Sequence, residues 1–151
     1  MASPKIHLYL SPGACSLASH ILLLETGLPF TITSQTTPDH RAPESFRAIN
    51  PKMRVPVLFL DDATITETPA IMTAISQLSP QHKLFGTSPM ETVRVHEWLA
   101  WLAGYLHGLA FGSFLRPERY TDDEAAWPGI HEKGKRVIGE CFEKIEGDLK
   151  G

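Results

Sequence analysis

The sequence predicts an α/β domain followed by an all-α domain, and three observations support that order. Short apolar runs alternate with helical patterns over the first 80 residues. The segment Ser79–Pro89 is rich in residues that break secondary structure. Beyond it, apolar residues recur at the three- and four-residue spacing of helices. We expect domains at residues 1–80 and 90–151, joined by a linker at 81–89.

The first domain has the predicted order β-α-β-α-β-β-α with a mixed four-stranded sheet. Its predicted strands are Lys5–Leu10, Phe30–Ser34, Val55–Leu60 and Ala63–Thr66. Its predicted helices are residues 17–26 and Pro69–Leu78, with a helical turn at Ser45–Ile49 and a polar loop at Thr36–Glu44. Asp61-Asp62 separates two strand-like runs so closely that the third and fourth strands form a hairpin.

Two amphipathic helices make up the second domain. The first covers Glu91–Leu115 and ends before Arg116-Pro117, and the second begins near Ile130. Cys141 lies on the apolar face of the second helix, so we expect it to be a packing residue.

Composition excludes several kinds of partner and site. The chain has 151 residues, a formal net charge of −3 and scattered Lys and Arg, which disfavours nucleic acid and anionic membranes as partners. Its two cysteines form neither a disulfide framework nor a zinc site, and they fit a reducing compartment. No secretory signal is visible and no apolar stretch approaches about 20 residues. The sequence therefore predicts a soluble, cytoplasmic protein without a metal site.

Cys15 is the first candidate for chemistry. It follows the turn Ser11-Pro12-Gly13-Ala14 and stands where a helix begins. The helix N-terminus favours a negative charge, so we expect the pKa of the thiol to lie below the free value of about 8.5. The alternative is a buried, inert cysteine. Ser16 either stabilises the thiolate or caps the helix.

Two further motifs allow a structural and a functional interpretation. A cis bond between Val55 and Pro56 would let the backbone of Val55 pair with an extended peptide, although a trans bond is far commoner. Thr68 either caps the helix that starts at Pro69 or, together with Glu67, holds the charged end of a ligand.

The segments YLSPGACSLASHILLLETGLPF, AINPKMRVPVLFLDD and TITETPAI resemble the N-terminal domain of glutathione S-transferases, most closely the bacterial beta class. The helical stretch HEWLAWLAGYLH is similar to the first helix of that family's C-terminal domain. The resemblance implies a thioredoxin-like fold, a homodimer and a detoxification enzyme. It also implies glutathione as co-substrate and a small hydrophobic electrophile or a mixed disulfide as the second substrate.

The resemblance also implies roles for individual residues. Cys15 would contact the glutathione sulfur, and Val55, beside a cis Pro56, would bond the cysteinyl backbone. The γ-glutamyl end would be held by Glu67 and Thr68. His107 would reach into the site from the helical domain. For the glycine end of glutathione the candidates are Lys52, His40 and Arg41.

This chain departs from the family pattern in several places. Met53 stands where the family often has glycine, Gly108 where the beta class often has lysine, and Ala100 where a polar residue is frequent. Family members are also longer, so the all-α domain is expected to be partial. We therefore expect a cysteine-type glutathione transferase. The alternative is a non-catalytic or truncated glutathione-binding or scaffold protein.

Overall fold

The computed structural model describes residues 4–35 and 42–150. Contacts divide the chain into two units, Met1–Thr92 and Val93–Gly151. The candidate residues His40 and Arg41 lie outside the described residues, as does most of the predicted loop at Thr36–Glu44.

The first unit contains a mixed four-stranded sheet in the order β2-β1-β3-β4. The strands are β1 (Ile6–Leu10), β2 (Thr31–Ser34), β3 (Val57–Leu60) and β4 (Ala63–Thr66). Strand β1 runs parallel to β2 and antiparallel to β3, and β3 forms the predicted hairpin with β4. The predicted α/β fold class is confirmed.

Alternation along β1 decides which face of the sheet is covered. Ile6, Leu8 and Leu10 are buried while His7 and Tyr9 are only partly buried, as the period of two in a strand requires. Helices α1 (Ser16–Thr26) and α2 (Thr68–Leu78) contribute to the same core. Its remaining buried members are Leu23, Leu58, Ile71 and Ile75.

Strand β3 begins at Val57, two residues later than the sequence predicts. The peptide bond between Val55 and Pro56 is cis, as the resemblance implies. Proline has no N–H to give to a neighbouring strand, so regular pairing starts only after it.

The second unit contains α4 (Trp127–Leu149) and all of α3 (Pro89–Leu115) except its first turn. Within α3 the stretch Leu102–Phe111 is π-helical. Short 3₁₀ turns at Pro117–Arg119 and Glu124–Ala126 connect the two helices. Leu106 and Ala110 of α3 are buried with Cys141 of α4, which confirms the packing role predicted for this cysteine.

The length and composition of helix α3 contradict the expectation that the chain has no long apolar stretch. By length and composition it is long and apolar enough to cross a membrane, so the statement that no apolar stretch approaches that length is wrong. Residues 98–115 include no Asp, Glu, Lys or Arg. A single helix of this kind is weak evidence for a membrane span, and this helix packs against α4.

The first turn of α3 is held by a reciprocal capping arrangement between Ser88 and Glu91. The Glu91 N–H donates to the Ser88 hydroxyl at 3.2 Å, and the Glu91 carboxylate accepts from the Ser88 N–H at 3.0 Å. The same carboxylate accepts from the N–H of Thr87 and, at 2.8 Å, from its hydroxyl. Hydrogen bonds from Thr87, the backbone N–H above all, hold the pKa of Glu91 below its ordinary value.

We predict that Glu91→Gln lowers the denaturation midpoint at neutral pH. A carboxyl whose pKa is depressed by folding stabilises the protein above its unfolded pKa of about 4.3 and loses that effect as pH falls through its folded pKa. The difference between wild type and variant should therefore shrink below about pH 4. Urea titrations over a pH series measure this, with the exposed Glu132→Gln as control. An equal, pH-independent loss in both variants would contradict the capping role.

Candidate functional site

The candidate site begins at the loop that joins β1 to α1. Gly13 has φ 74°, a left-handed conformation that other residues rarely adopt. The N–H of Ala14 donates to Ser11 O at 3.1 Å and closes the turn. Cys15 follows at the N-cap position of α1 and is partly exposed.

The Ser16 hydroxyl holds this loop in place. It is completely buried, donates to Ser11 O at 3.1 Å and accepts from the Ser11 N–H at 3.1 Å. Helix α1 has no side-chain cap. The capping role considered for Ser16 from the sequence is therefore wrong, because its hydroxyl bonds the backbone of Ser11 instead; stabilisation of a Cys15 thiolate stays a prediction.

The structure brings Cys15 next to Val55. The Cys15 thiol donates to Val55 O, with 3.6 Å between sulfur and oxygen. The register of the sheet explains the contact: Tyr9 of β1 lies opposite Val57 of β3, so the end of one strand meets the start of the other. Cys15, Val55 and the cis Pro56 thus form one cluster.

The loop before Val55 is organised by a buried asparagine. The Asn50 side chain donates to Arg54 O at 2.7 Å and accepts from the Lys52 N–H at 3.1 Å. Between them Met53 has φ 54°. A left-handed conformation costs a non-glycine residue about 1–2 kcal/mol, which gives a physical reason why glycine suits this position.

Lys52 and Glu67 form an ion pair at the same end of the sheet. The Lys52 ammonium lies 2.6 Å from Glu67 Oε1 and donates to the Thr66 hydroxyl at 3.0 Å. Both side chains are more than half exposed. Thr66 lies opposite Val57 in the hairpin, which places Glu67 near the start of β3. From the sequence, we expect Lys52 and Glu67 to contact different ends of the ligand. No local sequence pattern indicates that the two side chains form an ion pair.

Helix α2 begins directly after Glu67. Thr68 is its first residue, so the prediction that Thr68 caps a helix starting at Pro69 is wrong. Glu67 occupies the N-cap position with φ 73°, its carbonyl accepts from the Ile71 N–H at 3.0 Å, and no side chain caps the first turn. An N-terminus of this kind suits a carboxylate.

His107 belongs to the other unit. It is exposed and lies within the π-helical stretch of α3. The buried thiol of Cys141 is also in this unit, and burial, followed by the charge of Glu140, raises its pKa. Within residues 4–35 and 42–150, no group of three His, Cys, Asp or Glu side chains could hold a metal ion.

Comparison with known proteins decides the family. The family model of the glutathione S-transferase N-terminal domain matches residues 13–78. The curated glutathione S-transferase GstA of Escherichia coli O157:H7 is 39% identical over 139 residues, which cover 89% of this chain and 69% of that protein. This chain belongs to the glutathione S-transferase family. It is an enzyme of that family, with the thioredoxin-like N-terminal domain that the sequence motifs implied.

Solved glutathione transferases share the fold. A homologue from Sulfitobacter with bound glutathione has a TM-score of 0.82 and 28% identity, over 95% of this chain and 70% of the homologue. A sphingomonad glutathione S-transferase complexed with glutathione has a TM-score of 0.77 and 32% identity, over 96% of this chain and 70% of the other.

We predict that an alkylating reagent modifies Cys15 well before Cys141 at neutral pH. Cys15 is partly exposed, whereas Cys141 is 2% exposed and burial raises its pKa, so little of its thiolate is present. Mass spectrometry of tryptic peptides after timed exposure to iodoacetamide measures both rates. Denaturation should make the two cysteines react alike. Faster modification of Cys141 in the folded protein would contradict the geometry.

Proposed function

We propose that this glutathione S-transferase is of the cysteine type, with Cys15 beside the sulfur of bound glutathione. Glutathione is the co-substrate, in keeping with the family and with the relatives solved with glutathione bound. One observation of this chain carries the finer proposal: the Cys15 thiol, at the start of α1, lies 3.6 Å from Val55 O. A thiol and a strand-like backbone group are thereby available to one short peptide.

The cysteinyl part of glutathione binds along Val55. Regular pairing of β3 begins only at Val57, so the backbone of Val55 precedes the ladder and is available to an added extended segment. A carbonyl oxygen has two lone pairs, so Val55 O accepts from a ligand N–H while keeping its contact with Cys15. The sulfur of the ligand then lies on the same side of Val55 as the Cys15 thiol.

The γ-glutamyl end binds at Glu67 and the first turn of α2. The Lys52 ammonium at 2.6 Å shows that the Glu67 carboxylate is accessible to a cation. The ligand ammonium replaces that of Lys52, and the ligand carboxylate takes the N-terminus of α2 at Thr68. Lys52, once released, is the candidate for the glycine carboxylate, because it stands in the loop that leads to Val55.

The thiols of glutathione and of Cys15 support two reactions. In conjugation, the glutathione thiolate forms a carbon–sulfur bond with an electrophile, and the leaving group departs with the electron pair of its broken bond. In exchange, the Cys15 thiolate attacks a disulfide and releases one thiolate, and a second glutathione resolves the resulting mixed disulfide. Ala18 occupies the position of a resolving cysteine in a C-x-x-C motif, so the second thiol must come from glutathione.

The remaining assignments complete the proposal. His107 contributes to catalysis from the all-α domain at residues 90–151, and residues 1–80 bind glutathione. The second substrate is a small hydrophobic electrophile or a mixed disulfide. A homodimer, a cytoplasmic location and a role in detoxification accompany the family assignment, and a Cys15 that forms no disulfide fits a reducing compartment.

The decisive experiment compares Cys15→Ala with Cys141→Ala. The wild type should turn over an aromatic halide with glutathione or reduce a mixed disulfide of glutathione with a small thiol. Cys15→Ala should abolish the exchange reaction, whereas Cys141→Ala should retain it. If wild type binds immobilised glutathione but catalyses neither reaction, it is a binding protein. Failure to bind glutathione would contradict the proposal as a whole.

We predict that Glu67→Gln weakens glutathione binding. Loss of a charge-assisted hydrogen bond costs about 1.5–3 kcal/mol. The wild-type protein must first give up an exposed ion pair worth about 0–1 kcal/mol, which reduces the net loss by that amount. Isothermal titration calorimetry measures the change. Glu44→Gln, which removes the exposed pair with Arg47 instead, is the control, and equal affinities in both variants would contradict the assignment.

A further inference from the structure

Helix α3 changes its hydrogen-bond register at Gly112, where the π-helical stretch that contains His107 ends. The Gly112 N–H is shared between His107 O, five residues back, and Leu109 O, three residues back, and it closes the π-helical stretch Leu102–Phe111. Further along, the Arg116 N–H donates to Gly112 O, four residues back, as in an α-helix. When the register shortens from five to four, one carbonyl is left without the N–H that would have reached it.

The hydroxyl of Tyr120 contacts two backbone carbonyls of α3 near this change of register. It donates to Gly108 O at 2.9 Å and lies 3.3 Å from Leu109 O. Tyr120 is outside the helix, at the end of the 3₁₀ turn Pro117–Arg119, where its own N–H donates to Pro117 O at 2.9 Å. The hydroxyl thus satisfies Gly108 O, the carbonyl that the change of register leaves over, and it shares Leu109 O with the Gly112 N–H.

Gly112 provides the space for this contact. A Cβ at Gly112 would lie 2.6 Å from the Tyr120 hydroxyl oxygen, closer than real Cβ contacts come. In a continuous α-helix, the Gly112 N–H would donate to Gly108 O, four residues back. The Tyr120 hydroxyl uses one of the two lone pairs of that oxygen and does so from beside Gly112, so it disfavours the approach of the Gly112 N–H in the α-helical register and favours the π-helical one.

We propose that Tyr120 is a positioning residue: its hydroxyl holds α3 in the π-helical register and thereby orients the turn that carries His107. This rests on the proposed function for the part that His107 plays in turnover. Without the hydroxyl, Gly108 O takes the N–H of Gly112 and the π-helical stretch shortens at its C-terminal end. His107 then turns relative to the residues after it.

The register is tested directly by NMR on the full chain. The scalar coupling across the hydrogen bond of the Gly112 amide nitrogen should report the carbonyl of His107 in wild type and that of Gly108 in Tyr120→Phe. Gly112→Ala, which leaves no room for the hydroxyl, should give the same change. The control is Asp123→Ala, which removes a 3.0 Å bond to the Ala125 N–H in the same connection. Coupling that stays with His107 in Tyr120→Phe would overturn the proposal.

Kinetics test whether the orientation acts through His107. Tyr120→Phe should lower kcat by roughly 10- to 100-fold, the range that misplacement of a catalytic group produces, with KM for glutathione unchanged. In a His107→Ala background the same substitution should cause no further loss. An equal loss in both backgrounds would show that Tyr120 does not act through His107 and overturn the proposal. Full turnover by His107→Ala would instead contradict the role assigned to His107, while the coupling measurement decides the register independently.

Discussion

The antiparallel pairing of β1 with β3 is the constraint on which the candidate site depends. Tyr9 lies opposite Val57, so the loop that leaves β1 with Cys15 meets the segment that leads into β3. The hairpin register then sets Glu67 at the same end. A slip of one residue would turn Ile6, Leu8 and Leu10 away from the core, and burial of each such side chain is worth about 1.5–3 kcal/mol. The apolar face of one strand therefore fixes the position of the chemical groups.

Local patterns explain why much of this unit could be predicted. The first strand, the helix at residues 17–26 and the Asp61-Asp62 turn each depend on signals within a few residues, and each is confirmed in the structure. The position of Cys15 at the N-cap of α1 follows from the same kind of signal. The cis bond at Pro56 does not follow from a local pattern, because trans is the commoner state. Only the family resemblance indicated it.

The features that sequence reasoning missed depend on side-chain reach or on choices between similar backbone states. Lys52 and Glu67 are 15 residues apart, and only the folded hairpin lets the ammonium reach the carboxylate. Ser16 is of a residue type that caps helices, yet its hydroxyl bonds the backbone of Ser11 instead. In α3, the four-residue spacing of the buried Leu106 and Ala110 fits an α-helical turn and a wider π-helical turn alike. A hydroxyl supplied from a distant turn is invisible in such a pattern.

The site combines rigid backbone groups with an exchangeable ion pair, and this combination bears on specificity. Buried hydrogen bonds from Ser16 and Asn50 hold the loops on either side of the contact between Cys15 and Val55. The pair of Lys52 with Glu67 is exposed, and such pairs are weak and screened by salt. Under the proposed function, the cysteinyl part of the ligand meets a preformed surface at little cost of ordering. Its charged end replaces a contact that the protein gives up easily, so a ligand that lacks the ammonium leaves Lys52 on Glu67 and gains nothing there.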